Sequence, residues 1–337
     1  MINYTYQLVS PQVFSVKYHD IDMTSHVLIR PKYMAICHAD QRYYLGKRDY
    51  KILKKKLPMA LIHECCGEVV YDPTNTFAVG ELVVPIPNDP IEKSDVIYEN
   101  YLKGSKFKSS GYDGFMREYI DMPADRIVSV KLVPPKLAAI TEFVSVAVHA
   151  VSRFQLVSHN IRKEIGIWGD GSLSYCVANV IKTMLPESRL TIIGRNPGKL
   201  AYFSFAERTF ISDELPEDFQ VDHGFECCGG EGSYYAFDDM IQYLNPQGTI
   251  VMMGVSENRI PINTRDVLEK GITMLGCSRS GRTDFELAAE CMAQPEFQKR
   301  IESIIYEEEK VSSIADIHRV FRNDLDTMFK TVFEWEL

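Results

Sequence analysis

The sequence predicts an α/β protein in two parts, a β-rich unit and a doubly wound parallel sheet. Three observations carry this. The 337 residues exceed the ~100–200 usual for one domain. Up to about residue 140 the apolar residues come in short alternating runs, as half-buried strands require. Beyond Thr141, β-rich apolar runs alternate with helical stretches, the pattern of parallel strands joined by crossover helices.

In the first part Val13–Tyr18, Val27–Arg30 and Glu81–Val84 alternate, with Pro and Asn-Asp punctuation between them. Lys54-Lys55-Lys56 reads as a solvated face. Asn88 to Gly114 is polar and free of cysteine, which reads as a long surface excursion. Phe143, Val144, Ala147, Val148 and Val151 then recur at helical spacing and mark a boundary between units 1–143 and 144–284. Strands follow at Ile165–Trp168, Leu190–Ile193, Thr209–Ile211, Asp222–Glu226, Ile250–Met253 and Thr273–Leu275. A helix from about Asp284 to Ala293 and a strand Phe329–Phe333 return the chain to the first unit, so 285–337 completes it.

Composition limits the partners. With 37 Lys+Arg against 46 Asp+Glu the formal charge is -9, which argues against nucleic acid or an anionic membrane as the main partner. Met1–Tyr6 has neither the basic nor the apolar region of a signal segment, and no apolar run approaches the ~18 residues of a membrane helix. Eight cysteines include the adjacent pairs Cys65-Cys66 and Cys227-Cys228, which are badly placed to bridge each other. A reduced, cytoplasmic setting is expected.

Chemistry concentrates at two places. Gly169-Asp170-Gly171-Ser172-Leu173-Ser174 follows the first strand of the sheet and opens an apolar helix, the context a dinucleotide turn requires. Gly169 permits the tight turn and Gly171 lets the backbone approach a pyrophosphate at the helix N-terminus. Ser174 stands where a third glycine serves packing. After the second strand no acid lies between Leu190 and Lys199; Arg195 and Lys199 instead offer positive charge to a 2′-phosphate, so NADPH is expected over NADH. The second place is Leu61–Val69, where His63, Glu64, Cys65 and Cys66 cluster. Hydride transfer to a carbonyl is helped by a Lewis acid, and Cys37, His63, Glu64 and Glu142 are all ordinary zinc ligand types. Asp40 is placed to orient a ligating imidazole or to form an exposed salt bridge.

The Cys37 and His63-Glu64 segments, Gly80-Glu81, Thr141–Ala150 and the nucleotide turn follow one another in an order that resembles the zinc-dependent medium-chain dehydrogenases/reductases over essentially the whole chain. Within them, Ala39–Tyr44, Glu99–Lys103, Ser109–Met116, Gly166–Gly171 and Gly276–Gly281 resemble the ribulose-5-phosphate reductases that make ribitol 5-phosphate for CDP-ribitol and teichoic acid or capsule synthesis.

The resemblance implies a GroES-like catalytic domain, a Rossmann domain and one catalytic zinc in the cleft between them. Cys37 and His63 match ligands, Glu64 matches the acid beside the histidine, and Glu142 matches the third protein ligand. Gly254 and Ser278 join the cofactor residues. The structural zinc lobe of many relatives lacks its cysteines here, and the usual hydroxyl two residues after the ligating cysteine is Ala39. Tyr43, or a water relayed through Glu64, takes over the proton. Arg42, Lys47, Arg48 and Arg279 are the expected holders of the sugar phosphate. A homodimer, in complex with a cytidylyltransferase, is implied. The rival expectations are another zinc-dependent polyol or sugar dehydrogenase, and a cofactor-binding scaffold without turnover.

Overall fold

Val27–Ala35, buried along most of its length, is the strand on which the first unit is built. The computed structural model describes residues 1–21 and 23–337. Contacts divide the chain into Met1–Ser145 with Ser280–Leu337, and Val146–Arg279. In the first unit a sheet runs in the order Ile127–Ser129, Leu82–Pro85, Glu64–Tyr71, Val27–Ala35, Lys330–Trp335, Ile305–Val311. A smaller sheet joins Ile2–Ser10 to Val13–Asp20 and Met59–Ala60. Register makes the site: Ala35 pairs with Glu64 on one side and Val332 on the other. The start of Glu64–Tyr71, the start of Lys330–Trp335 and the exit toward Cys37 therefore meet at one end of the sheet. Met34, Ile62, Cys65, Phe321, Phe333 and Trp335 form part of one core beneath them.

In the second unit six parallel strands lie in the order Arg208–Ile211, Arg189–Gly194, Glu164–Trp168, His223–Glu226, Thr249–Met252, Thr273–Gly276. The first strand in sequence is central, so strand order reverses there, and a doubly wound sheet binds its ligand outside the carboxyl ends at such a point. Helix Ser172–Met184 buries Tyr175 to Ile181 in an unbroken run, which is what a helix covered by sheet and neighbours requires.

Two expectations change. The stretch Asn88–Gly114 is not simply a surface excursion: Asn88, Asn100 and Ser109 are buried. Several of its polar groups find partners inside the protein. Glu99, for example, accepts from Arg126 Nη1 at 2.9 Å and from the Arg282 amide at 2.8 Å. Nor is the lysine run uniformly solvated. It is the last turn of helix Tyr50–Lys56, and Lys56 turns inward while Lys54 and Lys55 stay exposed. No described helix is long and apolar enough to cross a membrane.

Candidate metal centre and nucleotide pocket

Cys37 leaves strand Val27–Ala35 and caps helix His38–Tyr44. Three residues on, Asp40 is wholly buried and gathers the surrounding backbone. Its Oδ2 accepts from the Cys37 amide at 3.2 Å, and its Oδ1 accepts from the Ile62 amide at 3.1 Å and the Ser109 hydroxyl at 2.6 Å. Ile62 has φ +68, a left-handed conformation that costs a β-branched residue on the order of 1–3 kcal/mol. The strain is held from both sides, because the Ile62 carbonyl also accepts from the Phe115 amide at 2.7 Å. This kink delivers His63. Its Nδ1 lies 3.7 Å from Asp40 Oδ2 and makes no hydrogen bond.

Cys37, His63 and Glu64 bring one donor atom each within 4.8 Å of one another. Burial alone would keep His63 neutral, but the charges of Asp40 and Cys37 raise its pKa well above the ordinary value. Burial likewise opposes ionisation of Asp40, yet His63 and the hydrogen bonds from Ser109 and Ile62 bring it below the usual range. A cation is favoured here. Glu64 is fully buried, and Oε1 accepts from Lys330 Nζ at 2.6 Å while Oε2 has no hydrogen-bond partner. Lys330 also donates to the Ile36 carbonyl at 2.9 Å and lies 4.8 Å from the Phe143 ring centroid. A thiolate, an imidazole and an orphaned carboxylate oxygen fit a zinc ion.

The other expected residues divide. Glu142 lies outside the three-residue group but is buried, and burial first, then Glu64 and Asp40 against His63 and Lys330, leaves its pKa at about 7. Cys65 and Cys66 face elsewhere. The Cys66 thiol donates to the Pro135 carbonyl at 3.0 Å, and burial pushes it up to about 12. Tyr43 is buried, with Arg48 Cζ 4.9 Å and Lys56 Nζ 5.8 Å from its ring centroid. Arg42 Nε donates weakly to the Lys47 carbonyl at 3.4 Å, and Lys47 is exposed. Arg279 lies in the second unit, exposed, with φ +58.

In the second unit, Gly169, Asp170, Gly171, Arg195 and Lys199 line a cavity of about 490 Å³ with Trp168, Cys228 and Tyr235. Gly169 has φ +130, and a Cβ there would lie 2.5 Å from Ser174 Oγ, so the serine fills the space that the glycine leaves. A Cβ on Gly171 would meet nothing within 4 Å. Ser172 and Leu173 begin helix Ser172–Met184, whose free N–H groups suit a pyrophosphate. Gly254 donates from its amide to Glu226 Oε2 at 2.9 Å, and Ser278 is exposed; neither lines the cavity.

Three groups escaped the sequence. Asp170 Oδ2 accepts from the Arg195 and Asn196 amides, each at 2.7 Å, and so pins the loop that carries Arg195. Glu226 holds the Cys228, Gly229 and Gly254 amides and the Ser233 hydroxyl, tying two strand ends together. Lys330 is the third, 266 residues from the glutamate it neutralises. An acid directly after the first glycine of the turn was the one readable signal among them.

An alcohol dehydrogenase GroES-like domain model matches residues 23–132, and a zinc-binding dehydrogenase model matches residues 176–294. The chain is 55% identical over 340 residues to a ribulose-5-phosphate reductase of Streptococcus pneumoniae, covering 100% of this chain and 98% of that one. It is 46% identical over 341 residues to a ribulose-5-phosphate reductase of Bacillus spizizenii, covering both in full. A crystal structure of S. aureus TarJ in complex with NADPH superposes with a TM-score of 0.89 at 39% identity, over 100% of each chain.

Proposed function

The chain belongs to the ribulose-5-phosphate reductases, within the zinc-binding dehydrogenases, and from that premise we propose that it reduces the C2 ketone of D-ribulose 5-phosphate to D-ribitol 5-phosphate with NADPH, for CDP-ribitol and teichoic acid or capsule synthesis. The observation that carries it is the grouping of Cys37, His63 and Glu64 at one sheet end. When bound, zinc supplies a Lewis acid for the ketone oxygen and NADPH supplies the hydride. Cys37, His63, Glu64 and Glu142 would hold the ion, with the Glu64 oxygen that Lys330 leaves free available to it. Asp40 lies 3.7 Å from Nδ1 of His63, so Nε2 would be the nitrogen offered to the metal. Tyr43 would give the ketone oxygen its proton. Arg195 and Lys199, which line the cavity, would meet the 2′-phosphate.

The eight cysteines are all free thiols, which supports a cytoplasmic setting. Thr273–Gly276 is an edge strand of its sheet, and pairing of that edge with a second copy supports the homodimer. Association with a cytidylyltransferase rests on the family resemblance.

The test follows absorbance of NADPH and NADH with ribulose 5-phosphate, xylulose 5-phosphate and unphosphorylated ribulose, with and without chelator. Turnover is expected with NADPH and ribulose 5-phosphate, and chelator should stop it until zinc is restored. Equal turnover after chelation would remove the metal, and no turnover with any ketose would favour a scaffold.

A further inference from the structure

We propose that Lys56 and Arg48, carried over the ring of Tyr43, form the seat for the phosphate of the substrate, with the hydroxyl of Ser110 as its neutral donor. This rests on the sugar-phosphate substrate assigned above. Tyr43 is 2% exposed, and both cations lie over its ring, Arg48 Cζ at 4.9 Å and Lys56 Nζ at 5.8 Å from the centroid. The two charges are therefore no further apart than those distances combined, and the one aromatic ring carries both. Lys56 has one hydrogen bond, to Ser110 Oγ at 2.8 Å, and no carboxylate among the described residues pairs with it. A lysine that only solubilised its helix would point outward, as Lys54 and Lys55 do.

Position relative to the metal group strengthens this. Asp40 and Tyr43, three residues apart, share a face of helix His38–Tyr44. One short segment covers that face: the Phe107 ring meets the His63 ring at 5.5 Å, Ser109 donates to Asp40 at 2.6 Å, and Ser110 receives Lys56. Ser109 has φ +60 and is held there by its buried bond to Asp40. The segment that touches the metal-binding histidine thus also fixes the lysine, which is the arrangement needed to read both ends of a ketose phosphate. Arginine offers a phosphate a planar fork and lysine a point charge. In a chain of formal charge -9, a dianion needs such local cations.

The experiment compares kcat/KM for ribulose 5-phosphate with kcat/KM for unphosphorylated ribulose in wild type, Lys56→Met, Arg48→Met and Lys56→Arg, with inorganic phosphate as a competing anion. Loss of a charged hydrogen bond predicts a fall of about tenfold or more in that ratio for each Met variant, chiefly through KM. Inhibition by phosphate should weaken in parallel, and Lys56→Arg should recover most of the ratio. Zinc content and the KM for NADPH, measured alongside, should match wild type. A ratio within twofold of wild type in both Met variants overturns the seat. A wild-type enzyme with no preference for the phosphorylated ketose overturns the substrate assignment instead, before any variant is made.

Discussion

Replacing Lys330 by Met should strand the carboxylate of Glu64. The pair is 2.6 Å long, with side-chain exposures of 6% for Lys330 and 0% for Glu64. At an effective dielectric of about 20 this distance corresponds to an attraction of roughly 6 kcal/mol, much of which offsets the cost of taking both ions out of water. Met keeps the apolar stem but leaves Glu64 buried without its partner, and removal of one member of a buried pair costs about 3–5 kcal/mol. Urea unfolding of chelator-treated protein at neutral pH measures it. Lys330→Met should lose about that much, Glu64→Gln should lose less, and the double variant should recover most of the single loss. Zinc, a second source of positive charge for Glu64, should shrink the penalty. If Lys330→Met cost under about 1 kcal/mol and added independently to Glu64→Gln, the argument for a coupled buried pair would fail.

Arg195→Ala should raise the KM for NADPH by about 10–100-fold while affecting NADH much less, because the guanidinium is assigned to the 2′-phosphate; steady-state kinetics with both cofactors check it. Asp40→Ala removes the acceptor for the Cys37, Ile62 and Ser109 bonds and the group facing His63, so zinc affinity by chelator competition should fall about 10–100-fold. His223 accepts from the Thr249 amide through Nδ1 and donates through Nε2 to the Ile161 carbonyl, so it is held neutral; burial first, then the neighbouring His159, lowers its pKa to about 4. The unfolded chain therefore binds a proton from about pH 6.5 downward and the folded chain only near pH 4, so stability should drop across that window as pH falls. Urea midpoints should show a shallower decline in His223→Gln.

The parallel sheet was readable because its central strands are buried on both faces and so appear as near-continuous apolar runs, as in Ile165–Trp168 and Ile250–Met252. The nucleotide turn was readable because its glycines stand between a strand and a helix. Cys37 and His63 stood out by residue type and order. Lys330 was hidden because nothing local marks a lysine whose partner arrives through the register Ala35↔Val332 and Ala35↔Glu64. The polar stretch around Ser109 misled because composition reports affinity for water, whereas here the hydroxyls find their partners inside. Lys56 was lost in a run of three like residues, of which only the last turns inward.

The pairing of Lys330 with Glu64 also sets an order of assembly. Lys330 is synthesised after every residue of the Val146–Arg279 unit, while Glu64 leaves the ribosome long before it. The contiguous unit can therefore fold as it emerges, but the discontinuous one must hold its sheet open at Val27–Ala35 until Lys330–Trp335 slots in beside it. Closing so long a loop is slow, and until then the Glu64 carboxylate has no lysine beside it. The last strand to be made is thus the one that completes the charge balance of the metal group.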